Sequence, residues 1–211
     1  MDKGELDPDP DSFSGEELER AERIGSERLR RRFLARRWMA RTLLAEAAGE
    51  APGDLVLERR CERCGGLHPA SPLAVGGREV WWSASHSGDL AAVAIASARV
   101  GLDLELERER PRWERIAERF FNPEERRALA GSPTRFLELW TLKEAYLKAL
   151  GLGLPGGLNA LDCSGLTATG EWSESDAQPG WRFQNFQPRP GFVAAVAVQG
   201  PATGVELRRW R

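Results

Sequence analysis

The 211-residue sequence predicts an α+β fold with two similar halves meeting at a cleft. Three observations point there. Apolar residues recur at helical spacing through 15–48 and again around 140–150. Short segments with strand patterning lie between and after these stretches, above all VGLDLELE at 100–107. Finally, LAAVAIA at 90–96 is echoed by FVAAVAV at 192–198, each following a Gly-containing turn, as two related core strands would be.

Taken in order, residues 1–14 are acidic and poor in apolar groups, and read as a flexible lead-in. Ser14 and Glu17 have the spacing of a capping box, so a helix should begin there. Its apolar stripe runs through Leu18, Ala21, Ile24, Leu29, Phe33, Leu34 and Trp38 to Leu44, with a break at Gly25-Ser26. Residues 54–60 alternate like a strand. VWWSASHSGDL reads as a strand entering a Ser/Gly turn, and 90–107 as two β-segments. Helices should follow at about 112–119, from Asn122-Pro123 onward, and up to Gly151, which stops the last one as a C-terminal glycine does. The remainder reads as short strands. The expected division is an N-terminal half over 15–101 and a C-terminal half over 102–211.

Composition narrows the classes of function. Hydrophobic content of 41%, charge of 29% and a net charge of −2 describe an ordinary globular protein and give no general argument for nucleic acid. No apolar stretch approaches the ~18 residues that cross a bilayer, so no membrane association is expected. The amino terminus lacks an apolar core of the secretory kind, and three cysteines make no disulfide framework, so a cytoplasmic setting is expected.

Five groups of residues carry possible chemistry. In the 100–107 strand, Asp103, Glu105 and Glu107 share one face, with neighbouring carboxylates roughly 7 Å apart. A divalent ion with its waters bridges such groups, and Mg²⁺ suits a site of one or two carboxylates completed by phosphates. The same alternation also describes a strand with a solvated acidic face. In WTLKEAYLKAL, Trp140, Lys143, Glu144, Leu147 and Lys148 fall on one helical face. Only three of the 30 Lys+Arg residues are lysine, and two of them flank Glu144, which suggests a need for a compact ammonium. In ASHSG, Ser85 and His86 offer donors to a phosphate beside a backbone nest, although a plain turn fits as well. A Ser–His hydrolase fits poorly, because adjacent residues rarely reach each other as nucleophile and base. On the basic helix, which includes Arg30 and Arg36, Arg37 and Arg41 lie four apart and present planar forks of the kind that clamp a phosphate; a solvated face is the other reading. Cys61, Cys64 and His68 raise zinc, with Cys163 as a distant fourth ligand.

The order and spacing of these pieces are more specific than any one of them. SASHSGDLAAVAIA, VGLDLELER, RFFNPEERRAL and RFLELWTLKEAYLKALGLGL together resemble the Sfp-type 4′-phosphopantetheinyl transferases. Hallmarks of that family are a (V/I)G(V/I)D(V/I)E strand and a W-x-x-K-E-A-x-x-K helix. The helix matches fully, and the strand matches with leucine at Leu102 and Leu104. The resemblance runs from about residue 15 to 198. It implies two α+β halves related by a pseudo-twofold axis, with the active site at their interface. It implies transfer of the phosphopantetheine arm of coenzyme A to a serine of an acyl or peptidyl carrier protein, releasing 3′,5′-ADP.

By the same resemblance, Asp103, Glu105 and Glu144 would hold Mg²⁺, and Glu144 would be the base for the carrier serine. Lys148, with Lys143, would neutralise the pyrophosphate. Ser85, His86, Arg37 and Arg41 would bind coenzyme A phosphates. The carrier would dock on 115–130, with Phe120, Phe121 and Leu129 as apolar contacts. Arg115, Arg119, Arg126 and Arg127 would steer an acidic partner there, against the interleaved Glu114, Glu118, Glu124 and Glu125. A monomer is expected. Two departures stand out. Only GELDP remains of the family's first strand, and the segment 68–72 lacks the basic residue that family members often place there. Two other readings stay open: a non-catalytic coenzyme A or carrier-protein binder on the same scaffold, and a zinc-containing binding module.

Overall fold

The computed structural model describes residues 9–55, 57, 73–75, 78–107, 112–152, 157–158, 161–166, 171–174, 176 and 178–200. The zinc candidates Cys61, Cys64 and His68, the departure at 68–72, the GELDP segment and most of the strand expected at 54–60 lie outside these residues.

The chain is α+β, as the patterning predicts. Five helices, α1 (Gly15–Glu22), α2 (Glu27–Ala48), α3 (Trp113–Phe120), α4 (Pro123–Ala128) and α5 (Pro133–Leu150), accompany seven strands among the described residues. The strands are β1 (Leu73–Val75), β2 (Arg78–Ser87), β3 (Leu90–Ala96), β4 (Val100–Leu106), β5 (Ser173–Glu174), β6 (Trp181–Phe186) and β7 (Phe192–Gln199). They form two antiparallel sheets, β1-β2-β3 and β4-β7-β6-β5. The echoed strands β3 and β7 are not hydrogen-bonded neighbours. Each sits in its own sheet, and it is β2 and β4 that face each other where the sheets meet.

Helix starts follow the sequence signals. Ser14 and Glu17 exchange both bonds of a capping box at α1, Asn122 and Glu125 do the same at α4, and the Ser132 hydroxyl accepts the Arg135 N–H at α5. Gly151 closes α5 in the left-handed conformation. The described end of the acidic lead-in, residues 9–14, has more local structure than its composition suggests. Residues Pro10–Ser12 form a 3₁₀ turn capped by Asp9, and Phe13 is buried, because one aromatic ring gives the segment something to bury.

The larger core lies between α3, α4 and α5 and the face of β6 and β7, built on Phe136, Leu139, Leu142, Ala145, Phe183 and Ala195. A second packs α2 against β2 and β3 through Ala40, Leu44 and Trp82. Leu104, Phe192 and Ala194 form a third cluster, joined by the partly buried Leu90 and Ala92, on the far side of β4 from α5. Gly101 decides how α5 meets β4. A Cβ there would sit 1.8 Å from the Ala145 carbonyl oxygen and 2.6 Å from the Ala149 nitrogen, so only glycine lets the helix lie this close. The consequence for chemistry is direct, since Asp103 and Glu105 share the Gly101 face and are pressed toward the same helix.

Candidate active site

The site grows from the seam between β2 and β4. Alternate N–H groups of a strand point to opposite edges; β4 uses one set to pair with β7, which leaves Leu102, Leu104 and Leu106 on the outer edge. These three N–H groups donate to the hydroxyls of Ser83, Ser85 and Ser87, at 3.0, 3.2 and 3.1 Å. A ladder of serine side chains therefore stands where a backbone partner strand would. Two of the hydroxyls also donate onward: Ser85 to Asp103 Oδ1 at 3.0 Å and Ser87 to Glu105 Oε2 at 2.9 Å. The sequence reading of ASHSG as a turn needs correction here. Ser85, His86 and Ser87 are still in β2, paired with Ala92, Ala91 and Leu90, and the chain turns only at Gly88-Asp89. No backbone nest exists at Ser85 and His86, because their main-chain groups lie in the β2–β3 pairing.

From the other side, α5 contributes Glu144 and Lys148. Lys148 Nζ donates to Asp103 Oδ1 at 2.7 Å, to Ser85 Oγ at 3.0 Å and to the Leu102 carbonyl at 3.1 Å. Asp103 is 6% exposed, and its other oxygen, Oδ2, is buried with no hydrogen-bond partner among the described residues. Burial raises the Asp103 pKa, and Lys148 opposes that rise. Glu144 is pushed up to about 7 by burial, then by the charge of Asp103, with Lys148 pulling the other way and Glu105 adding to the rise. These groups line a cavity of about 420 Å³, together with Ala84, His86, Leu104 and Trp140.

Three carboxylates in one cavity, one with an orphaned buried oxygen, make an excess of negative charge that fits a hard divalent cation. Among the described residues, no group of three His, Cys, Asp or Glu forms a ready-made cage for a metal ion. Mg²⁺ does not ask for one, because it keeps waters and takes further ligands from substrate phosphates.

A second cavity of about 340 Å³ lies between α1, α2 and the β2–β3 hairpin, and shares Ala84, Ser85 and His86 with the first. Arg20, Arg36 and Arg37 line it, with Phe33, Met39, Trp82 and Val93 as its apolar walls. Burial, then the charges of Arg32 and Arg20, lower the Arg36 pKa, and no carboxylate among the described residues pairs with it. Burial, then Arg36 and Lys148, hold His86 below the usual imidazole range, with Glu105 opposing. This is a cluster of positive charge set to receive an anion. Of its members the sequence brought Arg37 and His86 forward as phosphate ligands. Arg36 stands out in the sequence only as a charge of the basic helix, where Arg32 lies one turn before it, and Arg20 lacks a signal because α1 brings it there by packing on α2.

Other residues singled out in the sequence lie elsewhere. Arg41 is 1% exposed; its guanidinium donates to Glu17 Oε2 at 2.7 Å and to the carbonyls of Pro52 at 2.7 Å and Leu55 at 2.8 Å. Arg37 also pairs with Glu17 while reaching the arginine cavity. Burial would raise Glu17, but the Ser14 N–H and the two guanidiniums outweigh it and lower its pKa. Lys143 is 1% exposed and has its three protons on Glu125 Oε1 at 2.7 Å, the Leu158 carbonyl at 2.8 Å and the Leu161 carbonyl at 2.5 Å. It therefore does not share a face with Glu144. Consecutive helical residues point about 100° apart, so the two look into different spaces.

Phe121 and Leu129 are buried in the core and Glu125 is fully buried, which takes all three off the expected docking surface. Arg115, Arg119, Arg126 and Arg127 are exposed there, and Phe120 is half-buried beside Trp140. Cys163 is fully buried, and burial pushes its thiol well up.

Comparison with known proteins bears directly on this geometry. The profile of the ACPS, 4′-phosphopantetheinyl transferase superfamily matches residues 99–197, which hold β4, α5 and the strands beside them. The 4′-phosphopantetheinyl transferase HetI of Nostoc sp. (strain PCC 7120) is 35% identical over 195 residues, covering 90% of this chain and 79% of that protein. The chain belongs to the 4′-phosphopantetheinyl transferase superfamily. The transferase psf-1 of Bacillus pumilus is 32% identical over 125 residues, 56% of this chain and 52% of that protein. A putative transferase of Synechocystis, slr0495, is 34% identical over 88 residues, 39% and 36% respectively. Among the described residues of this superfamily member, no helix is long and apolar enough to cross a membrane.

Proposed function

We propose that the chain transfers the 4′-phosphopantetheine arm of coenzyme A to a serine hydroxyl of an acyl or peptidyl carrier protein, with Mg²⁺ as cofactor, releasing 3′,5′-ADP. The observation that carries the reading is the junction of an arginine-lined and a carboxylate-lined cavity at Ala84, Ser85 and His86. Coenzyme A bears two anionic centres of different kind, a 3′-phosphate on the ribose and a pyrophosphate along the arm. A monoester phosphate suits guanidinium forks and a neutral imidazole donor, which assigns Arg36, Arg37 and His86 to it. A pyrophosphate suits a divalent cation and an ammonium, which assigns it to the β4–α5 side.

Asp103, Glu105 and Glu144 would hold Mg²⁺, which would draw charge from the pyrophosphate oxygens when bound. Lys148, a compact point charge, faces the same anion from α5 and stabilises negative charge as the bond to 3′,5′-ADP lengthens. Glu144 takes the proton of the carrier serine, directly or through a water, as the serine oxygen bonds to the phosphorus next to the pantetheine arm. One phosphoester forms, the pyrophosphate P–O bond breaks, and the leaving nucleotide carries the displaced charge. Arg41 and Lys143 serve this chemistry from behind, by tying α2 to α1 and α5 to α4.

The exposed Arg115, Arg119 and Arg126 of α3 and α4 would steer an acidic carrier, against the exposed Glu114 and Glu118 and with Arg127 paired to Glu124, and Phe120 lies at the edge of this face. The protein is proposed to act as a monomer in the cytoplasm, in two halves at 15–101 and 102–211. Intact mass spectrometry of an apo carrier protein incubated with this protein, coenzyme A and MgCl₂ tests the reading. A gain of one phosphopantetheine arm that is lost with Glu144→Ala is expected. No gain on fatty-acid, polyketide or peptidyl carriers, with coenzyme A still bound, would replace it with a non-catalytic binding role.

A further inference from the structure

The serine ladder has two kinds of rung. Ser83, 2% exposed, takes the Leu102 N–H and touches no carboxylate among the contacts described. Ser87 takes the Leu106 N–H and hands its own proton to Glu105. Ser85 does the equivalent with Asp103 but also meets Lys148 and lines both cavities, so it belongs to the site itself. Ser87 lines neither cavity, yet it holds a side chain that lines one.

We infer that Ser87 is a positioning residue: by accepting the Leu106 N–H and donating to Glu105, it aims Glu105 into the carboxylate cavity and thereby sets the metal affinity of the site. The inference rests on the function proposed above and goes one shell outward. A hydroxyl fixed by a backbone donor has little freedom left. Its single proton is directed by the N–H it has already accepted, and the carboxylate that receives it is fixed in turn. The seam is a useful anchor for this purpose. β2 belongs to one sheet and β4 to the other, so the bond ties the direction of Glu105 to the fit of the two halves. Ser83 provides a matched comparison within the same ladder, since it contributes to the seam and not to the carboxylates.

The test is Mn²⁺ binding in the presence of coenzyme A, read from the free-ion electron paramagnetic resonance signal, alongside thermal unfolding and transfer to an apo carrier. Loss of a partner of this kind weakens metal binding by about 10-fold or more, and that is the expected effect of Ser87→Ala. The KM for coenzyme A should stay unchanged, and transfer should recover at high metal concentration. Ser87→Thr keeps the hydroxyl and should behave as the parent. Ser87→Cys keeps the shape with a weak donor and should weaken Mn²⁺ binding as alanine does. Ser83→Ala should lower the melting temperature with Mn²⁺ affinity unchanged. Unaltered Mn²⁺ affinity in Ser87→Ala, or an equal loss in Ser83→Ala, would overturn the inference while transfer by the parent protein left the function standing. A parent protein that neither binds Mn²⁺ nor modifies a carrier would overturn both.

Discussion

Replacing Glu144 with glutamine should end transfer and yet stabilise the metal-free protein above neutral pH. Burial and the charges of Asp103 and Glu105 push Glu144 from 4.5 up to about 7, against the pull of Lys148. A carboxyl raised in this way favours the fold while it is protonated. Its contribution is complete below the unfolded value of 4.5 and is lost as pH rises through about 7. The shift corresponds to at most about 3 kcal/mol at 1.36 kcal/mol per unit, and partial exposure of the side chain screens this to about 1–2 kcal/mol. Glutamine keeps the shape and removes the charge. In a chain of this size each kcal/mol moves the melting temperature by about 2–4 °C, so Glu144→Gln should gain about 2–8 °C near pH 8. The gain should largely vanish near pH 4.5. Thermal unfolding in a chelator across that range is the assay, and added coenzyme A with MgCl₂ should stabilise the parent more than the variant. A variant as stable as the parent near pH 8, or less stable, would refute the reasoning that Glu144 is held against its charge in a site awaiting a cation.

Three further outcomes follow from the packing and the charges. Arg36→Ala should weaken coenzyme A binding by about 10-fold or more while leaving dephospho-coenzyme A, which lacks the 3′-phosphate, nearly unchanged; calorimetry with both ligands checks this. Gly101→Ala drives a Cβ into the α5 backbone, and should cost about 3 kcal/mol or more in a urea titration because neither partner is a side chain that can swing aside. Lys143→Met leaves Glu125 buried without its ammonium, at a cost of about 3–5 kcal/mol by denaturant unfolding, and Glu125→Gln in the same chain should recover much of it.

The parts of this account that were legible in the sequence are local in origin. Ser14 with Glu17 announces a helix start because a capping box needs only residues three apart, and Asn122-Pro123 announces another because proline fits the first helical turn. Asp103 and Glu144 stand out because the DxE alternation and the WxxKE spacing survive as short strings, although nothing local says that β4 and α5 meet. What escaped was direction. Lys143 and Arg41 look like site cations until Glu125, Leu158 and Leu161, or Glu17, Pro52 and Leu55, come from elsewhere in the chain to enclose them. Phe121 and Leu129 are core for the same reason, since α3 and α4 close over α5. Ser83, Ser85 and Ser87 are spaced two apart, a strand period in plain view. Serine beside glycine nevertheless reads as a turn until a second strand edge arrives to be capped.

The central claim is that one seam, between β2 and β4 and under α5, gathers the metal and the pyrophosphate. Anomalous diffraction from crystals grown with MnCl₂ and coenzyme A measures that position directly. The account predicts a single manganese peak among the carboxylates of Asp103, Glu105 and Glu144, with the pyrophosphate between it and Lys148 and the 3′-phosphate against Arg36 and His86. Coenzyme A bound with Lys148 still locked on Asp103 and no metal beside Glu144, or with manganese at a different place in the chain, would contradict it.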